Sequence, residues 1–449
     1  MSLDDILKKL DAETRSRMAR KVPSWFDQSV IPGCDRESLT FPSSLSTQQC
    51  SGEPAALYKA QVASKPLEEL HSAKATFRPL PLPTASSDEN LYSTGPSPCP
   101  CPWVDTSSRG FCLPQGRIAD LTGGLGVDSW AFSKYFEKVL YNEANSELAE
   151  AVKHNFEVLG CSNITVSNKL LEPGNLKEIL GVFKPDIIFL DPARRSAAGK
   201  KVFLLEDCQP DVLKLKEELL DACPNLLLKL SPMADITMLL QRLGPAVREL
   251  HVVAFDGECK ELLVLLQRGW TGPASLTICE DGQALHFPDY YSTTSDNNVR
   301  YSTQNAFSGN NTLNGECTRM AIGRNFWPEG VLPGQILFEP GKALLKAGLF
   351  DYPCTQGYTK LAKHTHLYIA PDSSSLPGKY FRIEKVLPLQ SKTIKEIARQ
   401  GIAAEVSTHN VPIKAEDLKK RLHATPSATT HLFAAAGVNA DYIIIASVI

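Results

Sequence analysis

Several short stretches of this chain combine residue types and spacings that chemistry requires. "DLTGGLGVDS" sets Asp120 and Thr122 ahead of Gly123, Gly124 and Gly126, with Asp128 just behind them. Glycines between a strand and a helix let the backbone approach a ligand, and the helix start offers free N–H donors. A dinucleotide-binding loop would read G-x-G-x-x-G, but Ser129 occupies the third position here. Asp120 stands before the glycines, at a strand tip, where a carboxylate can meet a cationic amino-acid group. Glu143, followed by Ala144, falls about 20 residues beyond the loop, where an acid accepts both hydroxyls of a ribose in comparable folds. "DIIFLDPARR" is an apolar run ending in Asp191, Pro192, Arg194 and Arg195, and "NLLLKLS" places Lys229 at the end of another. Each piece alone has a plainer reading: tight packing for the glycines, a solvated acid for Glu143, a structural lysine for Lys229. On one edge of one sheet they make a nucleoside pocket beside groups that can manage a proton.

They share an edge only if the segments around them alternate between strand and helix. From Arg117 they do. "RIADLTGG" reads as strand then loop, "VDSWAFSKYF" as helix and "KVLYNEAN" as strand. The next helix carries Leu148, Val152, Phe156 and Leu159 on one face. "NITVSN", "DIIFLD" and "NLLLKLS" supply further strands. Such alternation predicts right-handed crossovers and a parallel sheet. Asp256-Gly257, between "VRELHVVAF" and "KELLVLLQRGW", is a hairpin signal that finishes the sheet on an antiparallel strand. The expected α/β architecture, Rossmann-like with an antiparallel last strand, resembles that of class I S-adenosylmethionine methyltransferases.

This unit sits inside a multidomain chain, since 449 residues exceed one compact core. Hydrophobic content of 43% and charged content of 22% fit a globular protein and exclude a disordered or fibrous one. No apolar run reaches the ~18 residues of a membrane span, and "LDDILKKLDAETRSRMARK" is charged throughout. The expected location is cytoplasmic, with neither signal peptide nor membrane contact. Twelve cysteines are too dilute for a disulfide framework. Cys99 and Cys101, in "PSPCPCPW", lack a matching C-x-x-C or H-x-x-x-H, so no metal is expected. A net charge of -3 excludes a global nucleic-acid signature and leaves only a local basic surface. The domains expected are a helical region at 1–78, a Pro/Ser/Cys-rich linker or insertion at 79–116 and the Rossmann-like domain at 117–270. A module at 271–378 follows, with a mobile polar loop at 288–314, and then a small α/β domain at 379–449.

A closer resemblance rests on "STQQCSGEPAALYKA", "DLTGGLGVDSW", "DPARR", "LKLSPMADI", "GECKELL", "LFEPGKALLKAGLF" and "KHTHLYIA", in that order. In these stretches the chain resembles the bacterial methyltransferases that carry a C-terminal THUMP-like domain. The likeness spans most of the chain outside 79–116 and 288–314. It implies a helical N-terminal part, a Rossmann-like catalytic domain, a ferredoxin-like module and a THUMP-like domain. It implies S-adenosylmethionine as cofactor and RNA, either tRNA or rRNA, as substrate. The cofactor residues are then Asp120, Thr122, Gly123, Gly124, Gly126, Asp128, Glu143, Ala144 and Asp191. The acid usual after strand three is missing, because "TVSNKLLEPG" offers Ser167, Asn168 and Lys169. THUMP-type modules present RNA to a catalytic domain. Residues 379–425 hold ten Lys/Arg against five Asp/Glu, including Lys419-Lys420-Arg421, an excess suited to phosphate contacts. A solvated helix face is the plainer reading of that three-residue run.

Three chemistries fit the strand-four tip to different degrees. Amino-group methyltransferases acting on bases place Asp/Asn-Pro-Pro-aromatic there; the acid and a backbone carbonyl hold the amine while the aromatic stacks on the flipped base. This chain keeps Asp191 and Pro192 but has Ala193 and Arg194 in the other places. An arginine plane stacks on a base or forks onto a phosphate, which makes Arg194 and Arg195 candidate RNA contacts. Carbon-directed enzymes need a cysteine nucleophile; none lies at this tip, and Cys259, in the hairpin before the last strand, is a candidate whose plainer reading is a buried small hydrophobe. Asp191, Lys229 and either Glu258 or Glu261 resemble part of the tetrad of ribose 2′-O-methyltransferases, where a lysine activates the hydroxyl. The lysine expected ahead of the glycine loop is absent, Arg109 and Arg117 being the nearest cations. Asp191, Pro192, Arg194 and Lys229 are thus the expected catalytic set, with the target open between a base nitrogen and a ribose 2′ oxygen. The rivals are a non-catalytic RNA-binding scaffold that keeps the nucleoside pocket, and a methyltransferase of a non-RNA substrate.

Overall fold

The computed structural model describes residues 3–71 (apart from 28, 30, 32 and 34), 116–194, 205–293, 299–301, 330–371 and 375–449. Cys99, Cys101, Arg109, Arg195 and, of the expected polar loop, residues 294–298 and 302–314 therefore lie outside the described residues. The chain divides into two compact units. One comprises Met1–Phe255, Lys260–Thr277 and His286–Tyr301; the other comprises Asp256–Cys259, Ile278–Leu285 and Ser302–Ile449.

From the N-terminus come α1 (Leu3–Lys21), α2 (Ser44–Gln49) and α3 (Glu53–His71). Strand and helix then alternate: β1 (Arg117–Asp120), α4 (Val127–Phe132), β2 (Lys138–Asn142), α5 (Ser146–Val158), β3 (Ile164–Ser167), α6 (Leu176–Leu180) and β4 (Ile187–Leu190). The short strands β5 (Ala193–Arg194) and β6 (Cys208–Gln209) pair with each other, and α7 (Val212–Ala222), β7 (Asn225–Leu230) and α8 (Ile236–Leu243) follow. The run closes with β8 (Val247–Phe255), β9 (Glu258–Gln267), β10 (Ala274–Glu280), β11 (Gln283–Thr293) and β12 (Val299–Tyr301).

These strands form a ten-stranded sheet in the order β12-β11-β10-β8-β9-β7-β4-β1-β2-β3. Strands β3, β2, β1, β4 and β7 are parallel, and β9 runs antiparallel against β7. The expected parallel sheet with an antiparallel closing strand is present. Asp256 (φ 55°) and Gly257 (φ 70°) make the tight turn between β8 and β9, the positive-φ pair that an Asp-Gly hairpin requires. Ile187, Ile188, Phe189 and Leu190 of β4 and Leu226, Leu227 and Leu228 of β7 are all buried. Such unbroken apolar runs belong to central parallel strands covered on both faces. Residues 288–293 and Val299–Tyr301, expected as loop, are strand instead, with Tyr291 opposite Tyr301. Their aromatic and β-branched residues favour a pleated partner over an open loop.

The N-terminal region is docked on this sheet and on its helices. Trp25 meets Trp130 edge to face at 6.1 Å, and Tyr58 Oη pairs with His251 Nδ1 at 2.9 Å. Buried Asn155 of α5 accepts from Thr40 N–H (2.8 Å) and donates to Thr40 C=O (2.9 Å).

The second unit contains β13 (Ile336–Pro340), α9 (Lys342–Lys346), α10 (Tyr352–Thr355), β14 (Thr359–Ala362), β15 (Thr365–Ala370), β16 (Gly378–Pro388), α11 (Ser391–Gln400), β17 (Glu405–His409), α12 (Ala415–Leu422), β18 (Thr430–Ala436) and β19 (Asp441–Val448). Its seven-stranded sheet runs β14-β15-β13-β16-β19-β18-β17. Ile394 and Ile397 of α11 and Leu418 and Leu422 of α12 pack with Leu432 and Ile443 into one core cluster. A second cluster gathers Leu337, Phe381, Phe433 and Ile444.

Candidate active site

Strand register explains why the chemistry-bearing residues meet. Asp120 lies opposite Tyr141 of β2 and Phe189 of β4, so Glu143 and Asp191 each emerge two residues past a neighbour of Asp120. Leu190 lies opposite Leu228, which brings Lys229 beside Asp191. Leu230 lies opposite Leu262 of the antiparallel β9, which puts Glu261 at the same edge.

The glycine loop is held from below and from both sides. Asp120 is 1% exposed; its Oδ2 accepts from Ser129 Oγ (2.6 Å) and its Oδ1 from Thr122 N–H (3.2 Å). Burial pushes this carboxyl up to about 8, against the opposing pull of those hydrogen bonds. Thr122 Oγ1 accepts Asp191 N–H at 2.6 Å and so ties the loop to the tip of β4. Glu143 accepts Gly124 N–H and Asn145 N–H, each at 2.9 Å, which fixes its carboxylate over the loop. Tyr141 Oη donates to Gly124 C=O at 2.6 Å. At Gly123 a Cβ would fall 2.1 Å from the Tyr141 ring, so only glycine fits beneath this clamp. Gly124 differs: its φ is +51° and a Cβ there would meet nothing within 4 Å, so this bend faces open space a ligand can enter. Gly126 (φ +79°) lets the start of α4 lie on Val152 and Phe156 of α5. Ala144 is exposed beside Glu143, and Asn168 donates to the carbonyls of both, at 2.6 Å to Glu143 and 3.2 Å to Ala144. Asn142, not anticipated from the sequence, is a buried hub whose amide bonds Leu121 C=O and both backbone groups of Lys169.

At the tip of β4, Lys229 Nζ forms an ion pair with Asp191 Oδ2. Burial works to strip the proton from Lys229, but Asp191, Glu261 and Asp128 outweigh it and hold the ammonium above the ordinary lysine range. Pro192 is buried, Ala193 is exposed, and the backbone of Arg194 pairs with Cys208.

The largest departure from expectation is Lys59 of α3. It is fully buried and makes contacts of 2.8 and 2.9 Å with the two oxygens of Glu261, 3.2 Å with Asp128 Oδ1 and 3.0 Å with Ser51 Oγ. Ser51 in turn donates to Asp128 Oδ2 at 2.9 Å. Asp128, expected to bind cofactor, is thus engaged by the N-terminal region. Of the two acids considered on β9, Glu261 is the buried one in this network and Glu258 is exposed. Lys59 lies ahead of the glycine loop in "GEPAALYKA", a stretch to which spacing alone assigned no chemistry. Cys50, in the same segment, donates to Thr47 C=O at 3.3 Å, and burial pushes its thiol up, away from the nucleophilic thiolate.

In the second unit, Lys419, Lys420 and Arg421 form the last turn of α12, with Lys420 and Arg421 exposed. On α11, Lys392, Lys395 and Arg399 line an open depression with Glu396. Among the described residues no His, Cys, Asp and Glu group is arranged to hold a metal ion, and no helix is long and apolar enough to cross a membrane.

Known proteins match this arrangement in parts. Residues 337–377 match the ferredoxin-like domain family and residues 378–447 the THUMP domain-like family. A solved structure from Porphyromonas gingivalis W83, described as a candidate methyltransferase, aligns over 97% of this chain and 88% of its own, at 24% identity and TM-score 0.67. An rRNA methylase from Streptococcus thermophilus matches 34% of this chain and 87% of its own, at 16% identity and TM-score 0.25. A precorrin-6y C5,15-methyltransferase from Geobacter metallireducens GS-15 matches 35% and 82%, at 11% identity and TM-score 0.25. No protein of curated function matches the chain. Sheet order, glycine loop and the full-length likeness define a Rossmann-like methyltransferase fold. Toward the C-terminus it is joined to ferredoxin-like and THUMP-like domains.

Proposed function

We propose that this chain is an S-adenosylmethionine-dependent methyltransferase of RNA, either tRNA or rRNA, with a base nitrogen or a ribose 2′ oxygen as acceptor. The observation that carries the reading is the convergence of the glycine loop, Glu143 and the Asp191–Lys229 pair at one sheet edge. The residues present suit the cofactor. Gly124 opens onto unfilled space, Glu143 has lone pairs left for ribose hydroxyls, and Asp120 lies under the loop as a carboxyl that a nearby ammonium would ionise. When bound, S-adenosylmethionine supplies a methyl group already activated on a sulfonium sulfur. The chain's share is then to align the acceptor for in-line displacement and to manage its proton, with Asp191 and Lys229 in position for the second task. Pro192 restricts the backbone directly after Asp191. The THUMP-like match and the exposed cations of α11 and α12 support RNA as substrate, with Lys419, Lys420, Arg421, Arg194 and Arg195 as its contacts.

Two measurements test this. Calorimetry should show S-adenosylmethionine binding that Asp120→Ala abolishes. Mass spectrometry of RNA nucleosides from cells with and without the gene should show one methylated nucleoside missing. An unchanged nucleoside profile despite intact cofactor binding would favour the rivals, a non-catalytic RNA-binding scaffold or a methyltransferase of a non-RNA substrate.

A further inference from the structure

Lys59, Asp191, Lys229 and Glu261 come from α3, the β4 tip, β7 and β9, and two ion pairs join them at one sheet edge. We infer that these four residues act as one charge-coupled tetrad and that the acceptor is a hydroxyl, the ribose 2′-OH of an RNA, rather than a base amine. The inference rests on the RNA methyltransferase reading above and narrows its acceptor.

The argument is one of lone pairs. An exocyclic amine attacks through a single nitrogen lone pair and needs acceptors for its N–H groups. Here the strand-tip carboxylate already accepts from the Lys229 ammonium, and a second donor facing the amine would compete for the attacking lone pair. A hydroxyl oxygen has two lone pairs. One can accept from Lys229 while the other attacks, and its O–H can point to Asp191 Oδ1, which takes no hydrogen bond among the described residues. Lys229 is suited to this as a cation and not as a base, since the surrounding carboxylates keep its proton on. A carbon acceptor would need an activated thiolate, and at Cys50 burial pushes the thiol up against the opposing charges of Lys21 and Lys229.

Lys59 is the positioning member. Burial pushes the Glu261 carboxyl up, and the bidentate Lys59 contact is the main counterweight that keeps it available, after Asp191 and with Asp128, as a carboxylate that holds Lys229 protonated. Three carboxylates against two ammonium groups leave this edge with a net negative charge, which favours a sulfonium methyl donor. The balance of the step is simple. The hydroxyl oxygen bonds to the methyl carbon as the carbon–sulfur bond breaks, sulfur keeps that electron pair, and the hydroxyl proton passes to Asp191. Asp191 is one-third exposed and can return the proton to solvent.

The test uses the full chain, S-adenosylmethionine labelled in its methyl group, and RNA from cells lacking the gene. Alkali cleaves RNA after every free 2′-OH, so the expected label stays in alkali-resistant dinucleotides. Lys229→Met should lower that label by about 10²-fold or more while calorimetric S-adenosylmethionine binding persists. Lys59→Met should draw the alkaline limb of the kcat profile to lower pH, because an unpaired, buried Glu261 no longer stays ionised and Lys229 is then less firmly protonated. A purely structural lysine would lower Tm and leave that limb in place. Label in a base-methylated nucleoside overturns the inference and leaves the RNA reading standing. No label in any RNA, with cofactor binding intact, overturns both. Full 2′-O activity in Lys229→Met overturns the tetrad.

Discussion

Asp120 holds a proton at neutral pH as long as no cation faces it, because burial pushes its carboxyl up to about 8. Binding an ammonium beside it should reverse that balance, since an opposite charge favours the ionised form. The sign follows. If the ligand binds the carboxylate, a proton must leave on binding, and affinity rises with pH while Asp120 remains protonated in the free protein. The expected slope is up to tenfold per pH unit from about pH 6 to about 7.5, above which the ligand's own α-amino group begins to lose its proton. Calorimetry in buffers of different ionisation enthalpy should count close to one proton released at pH 7. Asp120→Asn should flatten the pH slope and abolish the release. An unchanged slope in that variant would make Asp120 a brace of the loop alone, held by Ser129 and Thr122.

Between elements, the most consequential joint is the one that attaches the N-terminal helices, because α3 carries Lys59. Asn155 of α5 supplies one arm of it, pairing with both backbone groups of Thr40. Asn155→Ala removes two part-buried hydrogen bonds to the exposed Thr40 backbone and should cost about 0.5–1.5 kcal/mol for each, read as a fall in the denaturation midpoint. Cofactor affinity should fall with it, since Val152 and Phe156 of the same helix support Gly126. Affinity that held while stability dropped would show the glycine loop to be independent of this joint. The joint also marks the limit of what the sequence discloses. Asp120, Glu143, Asp191 and Lys229 were readable because each ends an apolar strand, and parallel strands with short crossovers align their tips. Ser51, just ahead of α3, and Lys59, within it, carry no such marker, and Glu261, the partner of Lys59, is 202 residues away in sequence. Only the packing of α3 on the sheet makes them neighbours. The strand pair formed by β11 and β12 was missed for a different reason: polar residues hid a short aromatic alternation that needs a pairing partner to matter.

Over the whole molecule, charge is divided unevenly, and this decides how RNA would be held. The chain carries a net -3, yet residues 379–425 have ten cations against five acids. Any phosphate contact must then be local, and its strength must fall with salt. Leu418 and Leu422 anchor α12 in the core, which leaves Lys420 and Arg421 facing outward. Replacing Lys419, Lys420 and Arg421 together by alanine should free the phosphates they neutralise. The slope of log K against log salt should become shallower by about 2 to 3, at roughly 0.7 to 0.9 for each phosphate freed. S-adenosylmethionine affinity should not change, because it depends on the glycine loop and the β-strand tips. A plainer role is open to the same residues: cations in a last helical turn favour the helix dipole, typically by about 0.3–1 kcal/mol. That role lowers the melting temperature of the variant slightly and leaves the salt slope intact. The two outcomes are separable in one filter-binding series across salt concentrations, and only a shallower slope assigns the C-terminal cations to RNA.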